Sequence, residues 1–155
     1  MNAVKLSLAL FLPAALVVGT AQAGQCKAIH ADLDEISSTQ GCNPGLASCF
    51  LGEVEGNHGL RGTTHFAADS ARAGPATSPT FVSYSGPFEY RTAHGTITVR
   101  ETGVTTSGSE GVVTAYQQIV SATGRFEGST GYFFVSGHKT GGTVSTFVEG
   151  EICDP

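Results

Sequence analysis

The chain has no tryptophan, no methionine after Met1 and few charges, with eight Lys and Arg against thirteen Asp and Glu. The basic residues are scattered as Lys5, Lys27, Arg61, Arg72, Arg91, Arg100, Arg125 and Lys139. Phosphate binding needs clustered cations, so nucleic acid is excluded as an expected partner. Long apolar runs are lacking too. The run from Leu6 to Val18 is broken by Pro13 and falls short of the roughly 20 residues a membrane-spanning helix needs, so no membrane span is expected. No segment keeps a helical period. There is no Gly-x-Ser-x-Gly elbow, no His-Glu-x-x-His pair and no glycine loop leading into a helix, which removes the familiar hydrolase, zinc and nucleotide signatures. No cofactor is expected.

What is present begins with an export signal. Lys5, the apolar run and the small residues Gly19-Thr20-Ala21-Gln22-Ala23 have the order of a Sec-type signal peptide cleaved after Ala23. A secreted or periplasmic location is expected. Residues 24–155 remain, a length suited to one domain. Of these, 24–47 are polar and irregular and read as an N-terminal arm, and 48–155 as a β domain.

Four cysteines, Cys26, Cys42, Cys49 and Cys153, enter an oxidising compartment and predict two disulfides. A structural zinc would prefer close Cys-x-x-Cys pairs, which are missing, so no metal is expected.

After Cys49, runs rich in Val, Ile, Thr, Phe and Tyr alternate with glycine-containing breaks. The expected strands are 49–56, 60–69, 80–85, 88–91, 96–101, 112–121, 132–138 and 144–152, with Gly86-Pro87 taken as a break and Ser70 to Pro79 as a surface loop. Short links make sequence neighbours antiparallel neighbours. The fold class is therefore all-β, a single eight-stranded, up-and-down antiparallel barrel of calycin-like type, whose closure removes free edges. Closure pairs the first strand with the last. With Cys49 opening the first strand, the expected bonds are Cys49–Cys153 and Cys26–Cys42. The rival pairing is Cys42–Cys49 with Cys26–Cys153.

Alternation puts Phe50, Gly52 and Val54 on one face and Leu51, Glu53 and Glu55 on the other. The charged face is expected to meet water, unless some of its groups project into a barrel mouth. In that case Glu53 or Glu89 would be the catalytic acid or base, and His65, Tyr90 and Arg91 would bind the ligand.

The segment Thr123-Gly124-Arg125-Phe126-Glu127-Gly128-Ser129-Thr130-Gly131, running into Tyr132-Phe133-Phe134-Val135-Ser136-Gly137, resembles the turn-and-strand motif T-G-x-F-x-G-A-x-G of the allene oxide cyclase and dirigent barrel superfamily. The pieces 59–66, 95–103 and 149–153 are similar to its secreted bacterial members. The resemblance implies an eight-stranded barrel, often with a hydrophobic cavity that shapes reactive apolar intermediates, and side-packed dimers or trimers. The plant cyclases' Glu-Leu-Asn-Glu strand and the dirigent proteins' His-Asp segment have no counterpart, so no active-site residue transfers. The expected function is binding of a small apolar molecule, with cofactor-free cyclisation or isomerisation as the chemistry. The alternative is a non-enzymatic extracellular interaction or structural module.

Overall fold

A computed structural model describes residues 24–46 and 48–155; the expected signal peptide lies outside the described residues. Nine strands form one antiparallel sheet: β1 Cys26–Ser37, β2 Cys49–Gly56, β3 Arg61–Ala67, β4 Ser70–Ala73, β5 Phe81–Thr92, β6 Gly95–Thr106, β7 Glu110–Ala122, β8 Thr130–Thr140 and β9 Thr143–Cys153. Their order is β3-β2-β1-β9-β8-β7-β6-β5-β4, and β3 also pairs with β5, so eight strands close into a barrel and β4 extends beyond it. This is the expected fold class.

The strand inventory differs at three places. The segment read as an arm supplies β1, and residues 38–46 that follow it are irregular. Its inner face, Ile29, Ala31, Leu33 and Glu35, is buried, while His30, Asp32 and Asp34 are exposed. The acidic outer residues masked an alternation that is otherwise regular. The break expected at Gly86-Pro87 is not one: β5 runs straight through it. Before these residues β5 pairs with β4 and after them with β3, so Pro87, which has no N–H to donate, falls where the neighbour changes. The loop expected at Ser70 to Pro79 opens with the exposed strand β4.

The first of these differences also changes the disulfides. The bonds are Cys26–Cys153 and Cys42–Cys49, not Cys49–Cys153 and Cys26–Cys42. The closure argument holds, but the strand that closes on β9 is β1, and Cys26 lies directly opposite Cys153 in its register. Cys49 instead opens β2, where Cys42 reaches it across the preceding turn.

One end of the barrel is sealed. Between β7 and β8 the chain makes a 3₁₀ turn, Gly124–Phe126, that drops Phe126 into the core. Gly124 and Gly128 have φ of +62° and +77°, a left-handed conformation that glycine adopts without steric penalty. Phe126 is 5% exposed and belongs to the core with Leu60, Ile97 and Ile152. Burying a phenylalanine to this extent stabilises the fold by about 1.5–3 kcal/mol. Phe66, Phe88, Tyr90 and Phe133 form a chain of ring contacts along the middle of the barrel.

The two disulfides close loops of very different length, with sequence separations of 127 and 7. Chain-entropy reasoning gives the longer a stabilisation of about 5 kcal/mol and the shorter about 2.5 kcal/mol. The double variant Cys26→Ser/Cys153→Ser should therefore lower the guanidinium unfolding midpoint clearly more than Cys42→Ser/Cys49→Ser, with equal losses arguing against this ordering.

Candidate functional site

The end opposite Phe126 opens into a cavity of about 110 Å³ lined by Glu35, Phe50, Phe66, Tyr84, Glu101, Val113, Lys139 and Val144, with Ser48 and Thr105 at its edge. The strand register explains the gathering. Lys139 on β8, Val144 on β9, Glu35 on β1, Gly52 on β2, Thr64 on β3 and Tyr90 on β5 are successive partners in a single row around the wall. Each occupies an inward position of its strand. The row thus carries polar groups into the barrel, and a second inward row, in which Glu101 pairs with Gln117 and Gln117 with Phe133, carries others.

Two glycines make room for them. A Cβ at Gly52 would come within 2.6 Å of Glu35 Cγ and 2.7 Å of Thr64 Oγ1. At Gly103, opposite Tyr84 in register, it would come within 2.6 Å of the Tyr84 ring and hydroxyl. Neither position accepts a side chain while those neighbours keep their places.

Below the cavity runs a buried polar chain. The Tyr90 hydroxyl donates to Gln117 Oε1 at 2.6 Å, and Gln117 Nε2 donates to Glu101 Oε2 at 2.5 Å. Tyr84 lines the same cavity as this carboxyl. Gln117 and Tyr90 are fully buried, and Glu101 is 5% exposed. Burial pushes the Glu101 carboxyl up to about 7, against the opposing pull of Gln117 and Tyr84. Burial, with a further contribution from the Glu101 charge, raises Glu35 well above the ordinary carboxylate range. Glu35 has no such compensation. Its Oε1 and the Thr64 hydroxyl are the buried side-chain atoms that find no hydrogen bond among the described residues. Leaving a buried polar atom unmatched costs about 1–3 kcal/mol. At the rim, the Lys139 ammonium donates to the Thr106 carbonyl at 2.5 Å, and burial lowers its pKa.

The residues expected to do chemistry are mostly elsewhere. Glu53, His65, Glu89 and Arg91 do converge, since Asp34, Glu53, Thr63 and Arg91 are paired in one row and Ile36, Leu51, His65 and Glu89 in the next. They point outward, however. Arg91 is bound to Glu89 at 2.5 Å on the surface, so it is committed to a carboxylate of its own chain. His65 lies against the Gln40 carbonyl at 3.2 Å. Glu53 and Arg91 flank a groove of about 500 Å³ that comes down on Gly52 between Glu35 and Thr64. A larger concavity, about 1370 Å³, spreads over the outer wall past exposed Asp32, Asp34, Glu53 and Arg61. Both grooves are open to water, which weakens every charge interaction within them. Of the expected set only Tyr90 is inside, as the far member of the buried chain.

Glu35, Glu101 and Gln117 were missed by sequence reading, although a signal existed. Each is a polar residue at an inward position of an alternating strand, between Leu33 and Ser37, Val99 and Gly103, or Ala115 and Ile119. Among the described residues, one group of metal-type ligand atoms gathers, Cys26, Glu151 and Cys153, and its cysteines are bonded to each other. No helix of the described residues is long and apolar enough to cross a membrane. The two disulfides fit an oxidising compartment.

No family model matches the chain, and neither a curated protein nor a solved structure is significantly similar to it.

The buried carboxyls set a pH dependence of stability. The folded state holds the Glu101 proton more tightly than the unfolded chain does, so its stabilisation is full below the ordinary value of 4.5 and is lost as pH rises through about 7. The loss amounts to about 3 kcal/mol, and Glu35 adds to it in the same direction. Urea unfolding between pH 5 and 8 should show stability falling with pH in the wild type, and a flatter profile in Glu101→Gln. A profile that rises with pH would rule out a protonated pair.

Proposed function

We propose that the barrel binds a small, mainly apolar molecule through its open mouth and acts on it as a cofactor-free isomerase or cyclase after export. The observation that carries this reading is the unpartnered Oε1 of buried Glu35, which faces the same cavity as Glu101. Two carboxyls in one apolar pocket cannot both ionise readily. A barrel that needed only stability would gain by replacing them with aliphatic side chains. The walls, Phe50, Phe66, Val113 and Val144, suit a neutral group no larger than benzene, which an apolar cavity of about 150 Å³ accepts. The role given to Glu53 and Glu89 on sequence grounds passes to Glu35 and Glu101. The resemblance to the allene oxide cyclase and dirigent barrels supports the same reading through the barrel and its Phe126 plug, and contributes no catalytic residue.

Titration with cyclopentanone tests the pocket. Chemical shifts of Phe50, Tyr84, Val113 and Val144 should move, and Val113→Phe, which fills the mouth, should abolish the response. Shifts confined to the outer wall, or none at millimolar ketone, would remove the pocket reading.

A second reading, an interaction module, is favoured by the outer wall. Tyr116, Tyr132 and Phe134 form a cluster with ring centroids 5.5–6.1 Å apart. Phe134 is 57% exposed, as is Phe147 nearby at 56%. Apolar surface of this kind favours side packing against another barrel. Sedimentation should give an oligomer that Tyr116→Ser/Phe134→Ser converts to monomer, and a monomeric wild type at high concentration would exclude it.

A further inference from the structure

The carboxyls in the mouth differ in their hydrogen-bonding environments. Glu101 receives the Gln117 Nε2 donor and shares the cavity with the Tyr84 hydroxyl, and both hold its pKa down against burial. Such bonds favour the ionised form of a carboxyl. The Gln117 amide cannot turn over without a loss, because its Oε1 is held by the Tyr90 hydroxyl. Reversal would set an amide oxygen against a carboxylate oxygen. The orientation of Gln117 is therefore set from behind, by a tyrosine that does not line the cavity. Glu35 receives no donor on Oε1, is almost wholly buried and lies within the field of Glu101. Each of these conditions favours its protonated form. One site thus presents a proton donor and a proton acceptor of the same chemical type, kept apart by surroundings. Lys139, the other ionisable group facing the cavity besides Tyr84, is engaged with the Thr106 carbonyl at the rim.

We infer that the site enolises a neutral carbonyl compound, with Glu35 protonating the carbonyl oxygen, Glu101 removing a proton from the adjacent carbon, and Gln117, anchored by Tyr90, positioning Glu101. This rests on the pocket reading above and names its substrate class. In the first step the C–H bond breaks and its electron pair forms the enol double bond. The carbonyl π pair takes the proton of Glu35, whose carboxyl becomes a carboxylate, while Glu101 becomes a carboxylic acid. In the second step Glu101 returns its proton to a carbon of the enol, the O–H proton goes back to Glu35 and the carbonyl reforms. For a β,γ-unsaturated ketone, return of the proton to the γ carbon moves the double bond into conjugation. Nothing is oxidised or reduced, and no co-reactant is consumed. The neutral substrate matches a mouth in which the interior charge is already negative. An anionic substrate would meet the Glu101 carboxylate inside, whereas the cation facing the cavity, Lys139, is held at the rim by the Thr106 carbonyl.

Cyclopent-3-enone, with six non-hydrogen atoms, is the probe. Incubated with the protein in deuterated buffer and followed by NMR, it should convert to cyclopent-2-enone carrying deuterium at the former alkene carbon. Glu101→Gln and Glu35→Gln should each slow conversion by about 100-fold or more, the usual contribution of a general acid or base, and both should still bind the ketone. Gln117→Met should move the midpoint of the pH–rate profile to higher pH, since Glu101 loses a donor, whereas a purely structural loss would lower the rate without moving the midpoint. Glu89→Gln, on the outer wall, should leave the rate unchanged. Binding at the mouth without conversion or exchange would overturn the enolisation chemistry and leave the pocket standing. Absence of both would overturn the two together. Should Glu101→Gln fail to fold, the wild-type profile decides: the rate must rise with pH through a single ionisation near neutrality, and a flat profile overturns the assignment.

Discussion

The antiparallel seam between β1 and β9 gives the molecule an inside. Eleven residue pairs run along it from Cys26 opposite Cys153 to Ile36 opposite Thr143. Without this seam the sheet would have two free edges and one wet face, and Glu35 would be an ordinary surface carboxylate on an edge strand. The seam places β1 between β2 and β9 and turns its alternate residues toward Phe88, Tyr90 and Phe133. The disulfide at its sealed end joins strands far apart in sequence. Barrel closure, core burial and the altered chemistry of the carboxyls are consequences of one pairing.

The interior departs from the pattern that best serves stability. Two inward rows, one with Glu35 and Thr64 and one with Glu101 and Gln117, stand where aliphatic residues would pack without hydrogen-bonding demands, and buried polar groups are costly unless matched. The arrangement is graded. Gln117 is matched by Tyr90 and Glu101 by Gln117, whereas Glu35 and Thr64 find no partner on either side of Gly52. Surface ion pairs such as Glu55 with Arg61 and Lys27 with Asp154 contribute little by comparison, about 0–1 kcal/mol each.

Much of the fold was legible because period-two alternation is a strong signal. The strands from β6 onward follow directly from their Val, Ile, Thr and aromatic runs, and the Phe126 turn from its glycines. Strand β1 was obscured because its outward positions are charged and its inward residues include Ala31 and Glu35, which lower the apparent hydrophobicity of the face. That misreading carried into the cysteines. The candidate site was less legible for a different reason. Ionisable residues were sought on the charged face, where they are numerous, and the informative ones are the few that interrupt the apolar face. Which end of each strand lies at the mouth depends on register and shear, and these are set by contacts between strands rather than within them.

Because Phe126 and its neighbours stop one end, the barrel is a blind tube. On the proposed reading, a ligand reaches Glu101 past Lys139 and Thr105 and leaves by the same route, reacting end first on the way in and last on the way out. The 110 Å³ chamber therefore limits the size of the reacting end alone. A long chain attached to it can remain outside in solvent, so the chamber sets no upper limit on the total length of a molecule that uses it.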